Sequence, residues 1–239
     1  AITQEPTFPE KEFESYKRRI KASLKVNLEK VEIICRLVFS ELFFGNSKYA
    51  ERYALEDFDK IEVTDLKAFH RENYCLNDAR IFISGASVKK AIALLKQNLQ
   101  ADEGSVVRKS LSGFSPKQET SFVRKEGALQ SAIRVGFPAV SRHHEDYPAF
   151  YIANMILGGY FGSRLMQNIR EDKGYTYGIG SSINQLKDLS FAVISTQVGA
   201  KHTEATMTEI NYEVNRLREE LVSVEELDLV KNYTAGDLL

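Results

Sequence analysis

Arg170 and Tyr177 lie seven positions apart in the stretch NMILGGYFGSRLMQNIREDKGYTYGIGSSI, residues 154–183. A guanidinium and a phenol are strong donors, and together they can hydrogen-bond a carbonyl oxygen or the negative charge that develops on one. Spacing alone reads Arg170 as a surface residue at a helix end and Tyr177 as a core aromatic. The elements that must position them can be read from the same stretch. Met155, Ile156 and Leu157 close an apolar helical face, and Gly158-Gly159 is expected to stop it in the left-handed conformation. Ser163 is placed to cap a second, short helix. On that helix Leu165 and Ile169 fall one turn apart and face inward. Lys173-Gly174 ends it, and from Tyr175 to Ile183 the odd positions share one face of a strand.

The pattern LGG…SRL…IRE..G..Y resembles the C-terminal half of the insulinase/pitrilysin zinc peptidases, most closely their processing-peptidase branch. That resemblance reverses the bland reading of the pair. It implies that Arg170 and Tyr177 grip the substrate backbone beside a metal, with Gly158, Gly159, Ser163 and Arg164 as the supporting loop. It implies an α+β fold, an antiparallel or mixed sheet packed with helices, like the LuxS/processing-peptidase-like metallohydrolase repeat. It also implies peptide or unfolded polypeptide as substrate, with zinc present in the assembled peptidase.

The family's zinc motif, H-x-x-E-H on a helix, puts two histidines one turn apart with a glutamate as base. It is absent from this chain. The expectation is therefore a non-catalytic portion that binds no metal itself and relies on a zinc-bearing half or partner subunit. His143 and His144, followed by Glu145 and Asp146, are weak metal candidates, since adjacent residues point apart and catalytic zinc wants three convergent ligands. They more readily solvate a helix start. An alternative reading is a scaffold or assembly subunit with the fold and no peptide chemistry. A third, an independent metal enzyme built on His143 or His144, is the weakest.

Composition narrows the field further. The chain has 239 residues, 43% hydrophobic and 27% charged, with net charge −1 and pI about 6.5. These values are ordinary for a soluble globular protein and give no sign of nucleic-acid binding. No apolar run reaches the roughly 18 residues a membrane span requires. The compartment stays open, bacterial cytoplasm or periplasm. Cys35 and Cys75 form no C-x-x-C, and Cys35 reads as a buried thiol. The glycines at 158, 159 and 162 follow a helix rather than a strand and lack the lysine of a phosphate loop.

Along the chain, Phe13, Tyr16, Ile20 and Leu24 stripe a first helix, and Val31, Ile34, Val38 and Leu42 a second. Thr64 is placed to cap a helix with Leu66 and Phe69. Ala79 to Gly85 reads as a buried strand, and Ala91 to Leu99 as a helix behind it. Residues 101–119 lack periodicity and are rich in Gly, Ser and charge. The domain reading is a closing portion of the N-terminal half at 1–103, a linker at 104–119, and an opening portion of the C-terminal half at 120–239. The second portion should hold strands at Thr120–Lys125 and Gln130–Phe137 about a turn at Gly127. A helix with Pro148 in its first turn, a strand with Phe191 and Val193, and a helix from Met207 to Leu221 follow. Ser223 with Glu226 reads as a capping box for one more helix. PEKEFESYK at Pro9 echoes SVEELDLVK at Ser223. The two portions thus make about one repeat in permuted order, expected to pack as one domain or to swap between two copies in a homodimer.

Overall fold

The computed structural model describes residues 3–99, 116, 118–187 and 189–237. The expected linker at 104–119 falls almost wholly outside the described residues. Two compact units divide the chain, one of Ala1–Lys25 with Tyr53–Ser110 and one of Val26–Arg52 with Leu111–Leu239.

The first unit is helical. Most of α1 (Glu10–Asn27), the single turn α3 (Asp57–Lys60), α4 (Val63–Asn73) and α5 (Val88–Asn98) make it up. Polar contacts tie these together: Lys21 pairs with Asp59 at 2.6 Å, and Lys17 Nζ donates to the Ile61 carbonyl at 3.0 Å. Helix α4 is capped by Glu62 and Asp65 in a reciprocal box, rather than by Thr64. The strand expected at Ala79–Gly85 does not form. Residues 79–84 are irregular, and Phe82 is 90% exposed. A strand needs a neighbour to satisfy its backbone groups, and among the described residues none pairs with this segment.

The second unit holds an antiparallel sheet of three strands in the order β1-β3-β2. These are β1 (Gln130–Pro138), β2 (Thr176–Gln185) and β3 (Ser190–Gly199). The segment Thr120–Lys125, expected as a strand, stays irregular with Phe122 exposed. Central strand β3 is apolar on both faces because both are covered. One face presents Ile194 and Val198 to Leu165, Ile169 and Ile210, the last on α7 (Thr203–Glu219). The other presents Phe191 and Val193 to Phe43 and Phe44 of α2 (Val31–Phe44). Gly136 leaves room for this second layer, since a Cβ there would run into the Phe39 ring. A third cluster seats Val230 of α8 (Val224–Asp237) against Met155 and Ile156, just past α6 (Tyr147–Asn154). Leu221, expected on the buried face of α7, lies beyond its end and is 99% exposed.

Candidate functional site

The site is built on two π-helical stretches, Met155–Gly159 and Met166–Asp172. Gly158 and Gly159 do not adopt the left-handed conformation expected of a helix stop. Gly158 is needed for close approach: a Cβ on it would lie 2.7 Å from the Ser181 backbone nitrogen of β2. Across the same seam Asn154 is buried. Its carboxamide oxygen accepts from the Ser181 hydroxyl at 2.6 Å. Leu165 and Ile169 are fully buried and fix the second stretch to the sheet. Gly174, with φ +65°, turns the chain from that helix into β2.

Ser163 stands before the helix but does not cap it through its side chain. Its hydroxyl is buried without a hydrogen-bond partner, while its carbonyl accepts from the Gln167 N–H at 2.9 Å. Arg164 is 8% exposed and forks onto Glu226 of α8, with Nε to Oε1 at 2.8 Å and Nη2 to Oε2 at 2.7 Å. The guanidinium holds the Glu226 carboxyl below its ordinary range, and Glu226 in turn raises Arg164. Only half of the expected capping box on α8 forms. Ser223 Oγ accepts from the Glu226 N–H at 3.1 Å, but the Glu226 carboxylate goes to Arg164.

Arg170 lies near the end of the second π-helix. Its guanidinium sits 4.5 Å over the Phe161 ring, and Nη1 is 3.2 Å from Glu171 Oε1. Tyr177 is 95% exposed, although the alternation of β2 places it on the buried face of Ile179 and Ser181. A β-bulge causes this. Thr176 pairs with Val198 and Ile179 with Thr196, so three steps on β2 match two on β3. The bulge is secured by hydroxyls. Thr176 donates to the Gln197 carbonyl at 2.6 Å, Thr196 donates to the Gly178 carbonyl at 2.9 Å, and the Gly178 N–H donates back to Thr176 Oγ1 at 3.1 Å. Tyr177 thereby joins the rim of a groove of about 480 Å³, lined also by Glu32, Arg36, Arg134 and Gln197. Among the described residues no hydrogen bond, ion pair or ring contact joins Arg170 to Tyr177. The groove-lining residues on α2 and β1 escape sequence reasoning, because nothing local links positions 36 and 134. The bulge carried one usable signal, a glycine inside a strand pattern at Gly178.

Residues 60–234 match the family described as the peptidase M16 inactive domain. This chain belongs to that family. It is 23% identical over 238 residues to the uncharacterized zinc protease YmxG of Bacillus subtilis (strain 168), covering 98% of this chain and 57% of that protein. It is 22% identical over 240 residues to the non-peptidase homolog YmxG of Helicobacter pylori (strain ATCC 700392 / 26695), covering 98% and 55%. A crystal structure of a peptidase M16 inactive domain from Pseudomonas fluorescens superposes with a TM-score of 0.85 at 24% identity, over 98% of this chain and 58% of that one. The chain thus spans a little over half the length of each of these relatives. The α+β fold and the peptidase family expected from LGG…SRL…IRE..G..Y both hold.

An M16 inactive domain with this donor set does not fit a catalytic zinc. The sequence contains no H-x-x-E-H, and among the described residues no three His, Cys, Asp or Glu side chains converge. His144 Nδ1 accepts from the Asp146 N–H at 3.2 Å and lies 3.7 Å from its carboxylate. That local turn uses His144, and among the described residues His143 belongs to no ligand group. No helix is long and apolar enough to cross a membrane among the described residues.

Proposed function

We propose that this M16 inactive domain is the substrate-gripping, non-catalytic portion of a zinc peptidase. The observation that supports this most directly is the bulge that turns Tyr177 outward onto the rim of a groove, with Arg170 on the helix leading into the same strand. An extended peptide lies along the free edge of β2, as strand-adding ligands do. The Tyr177 hydroxyl and the Arg170 guanidinium donate to its carbonyl oxygens, and stacking on Phe161 keeps the guanidinium plane in one orientation. Zinc and the general base reside in another portion of the same protein or in a partner subunit.

The domain organisation belongs to the same proposal. A closing portion at 1–103 and an opening portion at 120–239, joined by a linker at 104–119, pack as one domain or swap between two copies. Helix α2 comes from the first portion and lies on the sheet of the second, which supports that packing. The compartment consistent with the bacterial relatives is cytoplasm or periplasm.

The experiment is Arg170→Ala in the peptidase reconstituted with its zinc-bearing portion. Deleting one such donor costs about 10²–10³ in turnover at comparable sites, so cleavage falls at least ~100-fold and Tyr177→Phe lowers it too. Unchanged turnover in a folded variant would refute the role of Arg170. It would favour a scaffold subunit instead, a reading supported by the name of the Helicobacter pylori relative.

A further inference from the structure

The groove beside Tyr177 carries two arginines that the described structure leaves without a counter-charge. Arg36 comes from α2 and Arg134 from β1, and both line the groove. Arg134 is half-buried with its guanidinium 5.7 Å over the Phe39 ring. Burial works most against its ionised form; Cys35 opposes this, and the charge of Arg36 adds a smaller push in the same direction as burial. In the same unit Arg52, Arg164, Arg170 and Arg216 each have a carboxylate partner, while Arg124, Arg142 and Arg218 have none but are exposed outside the groove. Among the described residues Arg36 and Arg134 have none within ion-pairing distance. Glu32 also lines the groove, leaving one carboxylate against two guanidiniums. The Cys35 thiol between them is pushed up by burial and stays neutral at pH 7. A half-buried Arg134 beside the exposed charge of Arg36 is stabilised by an arriving anion, and guanidiniums bind carboxylates through directed, charge-assisted hydrogen bonds.

We propose that this groove is a side-chain subsite for aspartate or glutamate in the bound peptide, with Arg36 and Arg134 as its specificity-determining residues. The proposal rests on the peptide-gripping reading above and names the class of peptide it selects. A peptide backbone held at Tyr177 runs along the rim of the same groove, so an acidic side chain pointing into it meets both guanidiniums. Neutral and basic side chains at that position leave the arginines unpaired, which is discrimination by the unmet charge.

The test is fluorescence anisotropy of the full chain at low ionic strength, with labelled extended peptides differing at one position, glutamate against glutamine against lysine. At one register the glutamate peptide should bind about tenfold tighter than the glutamine peptide, and the lysine peptide more weakly still. Raising the salt should shrink the difference. Arg36→Gln, on an exposed side chain, should remove most of the preference. Arg134→Gln should do the same, and Arg134→Lys, which keeps the charge, should retain part of it. Equal binding of glutamate and glutamine peptides at every register overturns the subsite and leaves peptide gripping intact. A preference that persists in both glutamine variants overturns the assignment to Arg36 and Arg134. Failure of every peptide to bind overturns the gripping reading and the subsite with it.

Discussion

The two units of this chain are held together by different means. The second buries three apolar clusters, with Ile194, Leu165, Ile169, Ile210 and Val230 all fully covered. The first has a single buried apolar side chain among its described residues, Val63, and leaves Phe82, Tyr53 and Phe69 mostly exposed. Its helices bury the rest of their apolar side chains only in part, and pairs such as Lys21–Asp59 that link them are surface ion pairs worth little. Both units contain several helices, so the difference lies in what covers them. A sheet with two apolar faces supplies partners for every stripe laid on it, and helices without a sheet leave theirs half open.

The sharpest way to break this contrast is to cut the core of the second unit. Ile169→Ala should cost about 3–4 kcal/mol, read from chemical denaturation, because the side chain is fully enclosed and the cavity cannot collapse. Next is Gly158→Ala. The added methyl meets a backbone nitrogen of β2, so overpacking at about 3 kcal/mol is expected by the same measurement. Glu226→Ala strands the buried Arg164 and should cost about 2 kcal/mol, less than a fully buried pair because Glu226 keeps some solvent access. The sign with pH follows from the lowered carboxyl of Glu226. Its contribution is complete above the ordinary value of 4.5 and is lost as pH falls through the lower folded-state value. Denaturation between pH 5 and pH 3 should therefore show a steeper loss in the wild type than in Glu226→Gln. The smallest effect belongs to the first unit, where Phe82→Ala should stay within about 0.5 kcal/mol. A large loss there would erase the contrast. Hydrogen exchange sharpens it: β3 amides should exchange last, and those of α4 and α5 well before them.

Much of this contrast was legible. The stripe of α7 at Met207, Ile210, Val214 and Leu217 follows from helical spacing, and so does the inward pair Leu165 and Ile169. On α1 Tyr16 is exposed, and on α2 the sheet takes Phe39, Phe43 and Phe44 rather than the expected stripe of Val31, Ile34, Val38 and Leu42. What escaped was set by distant partners. Ala79–Gly85 and Thr120–Lys125 have strand-like composition, yet a strand exists only where another lies beside it. Ser163 has the right type and place for a cap, but burial took its hydroxyl out of reach of the helix. Glu226 was assigned to its own helix end and instead serves Arg164, a residue no local pattern connects to it. In the candidate site, the order Arg170, Gly174, Tyr177 was legible from the family motif. The direction of Tyr177 was not, since it depends on hydroxyls of Thr176 and Thr196 that hold the bulge.

The aromatic layer under the sheet also sets a timetable for biosynthesis. The strand that covers Phe39, Phe43 and Phe44, with Phe191 and Val193, is synthesised long after them. At ordinary synthesis rates of about 5–20 residues per second, that apolar surface waits for several seconds with no native partner. A helix in this position is where a nascent-chain chaperone would be expected to hold the protein. Slowing translation between α2 and β3 should therefore raise aggregation without altering the finished fold.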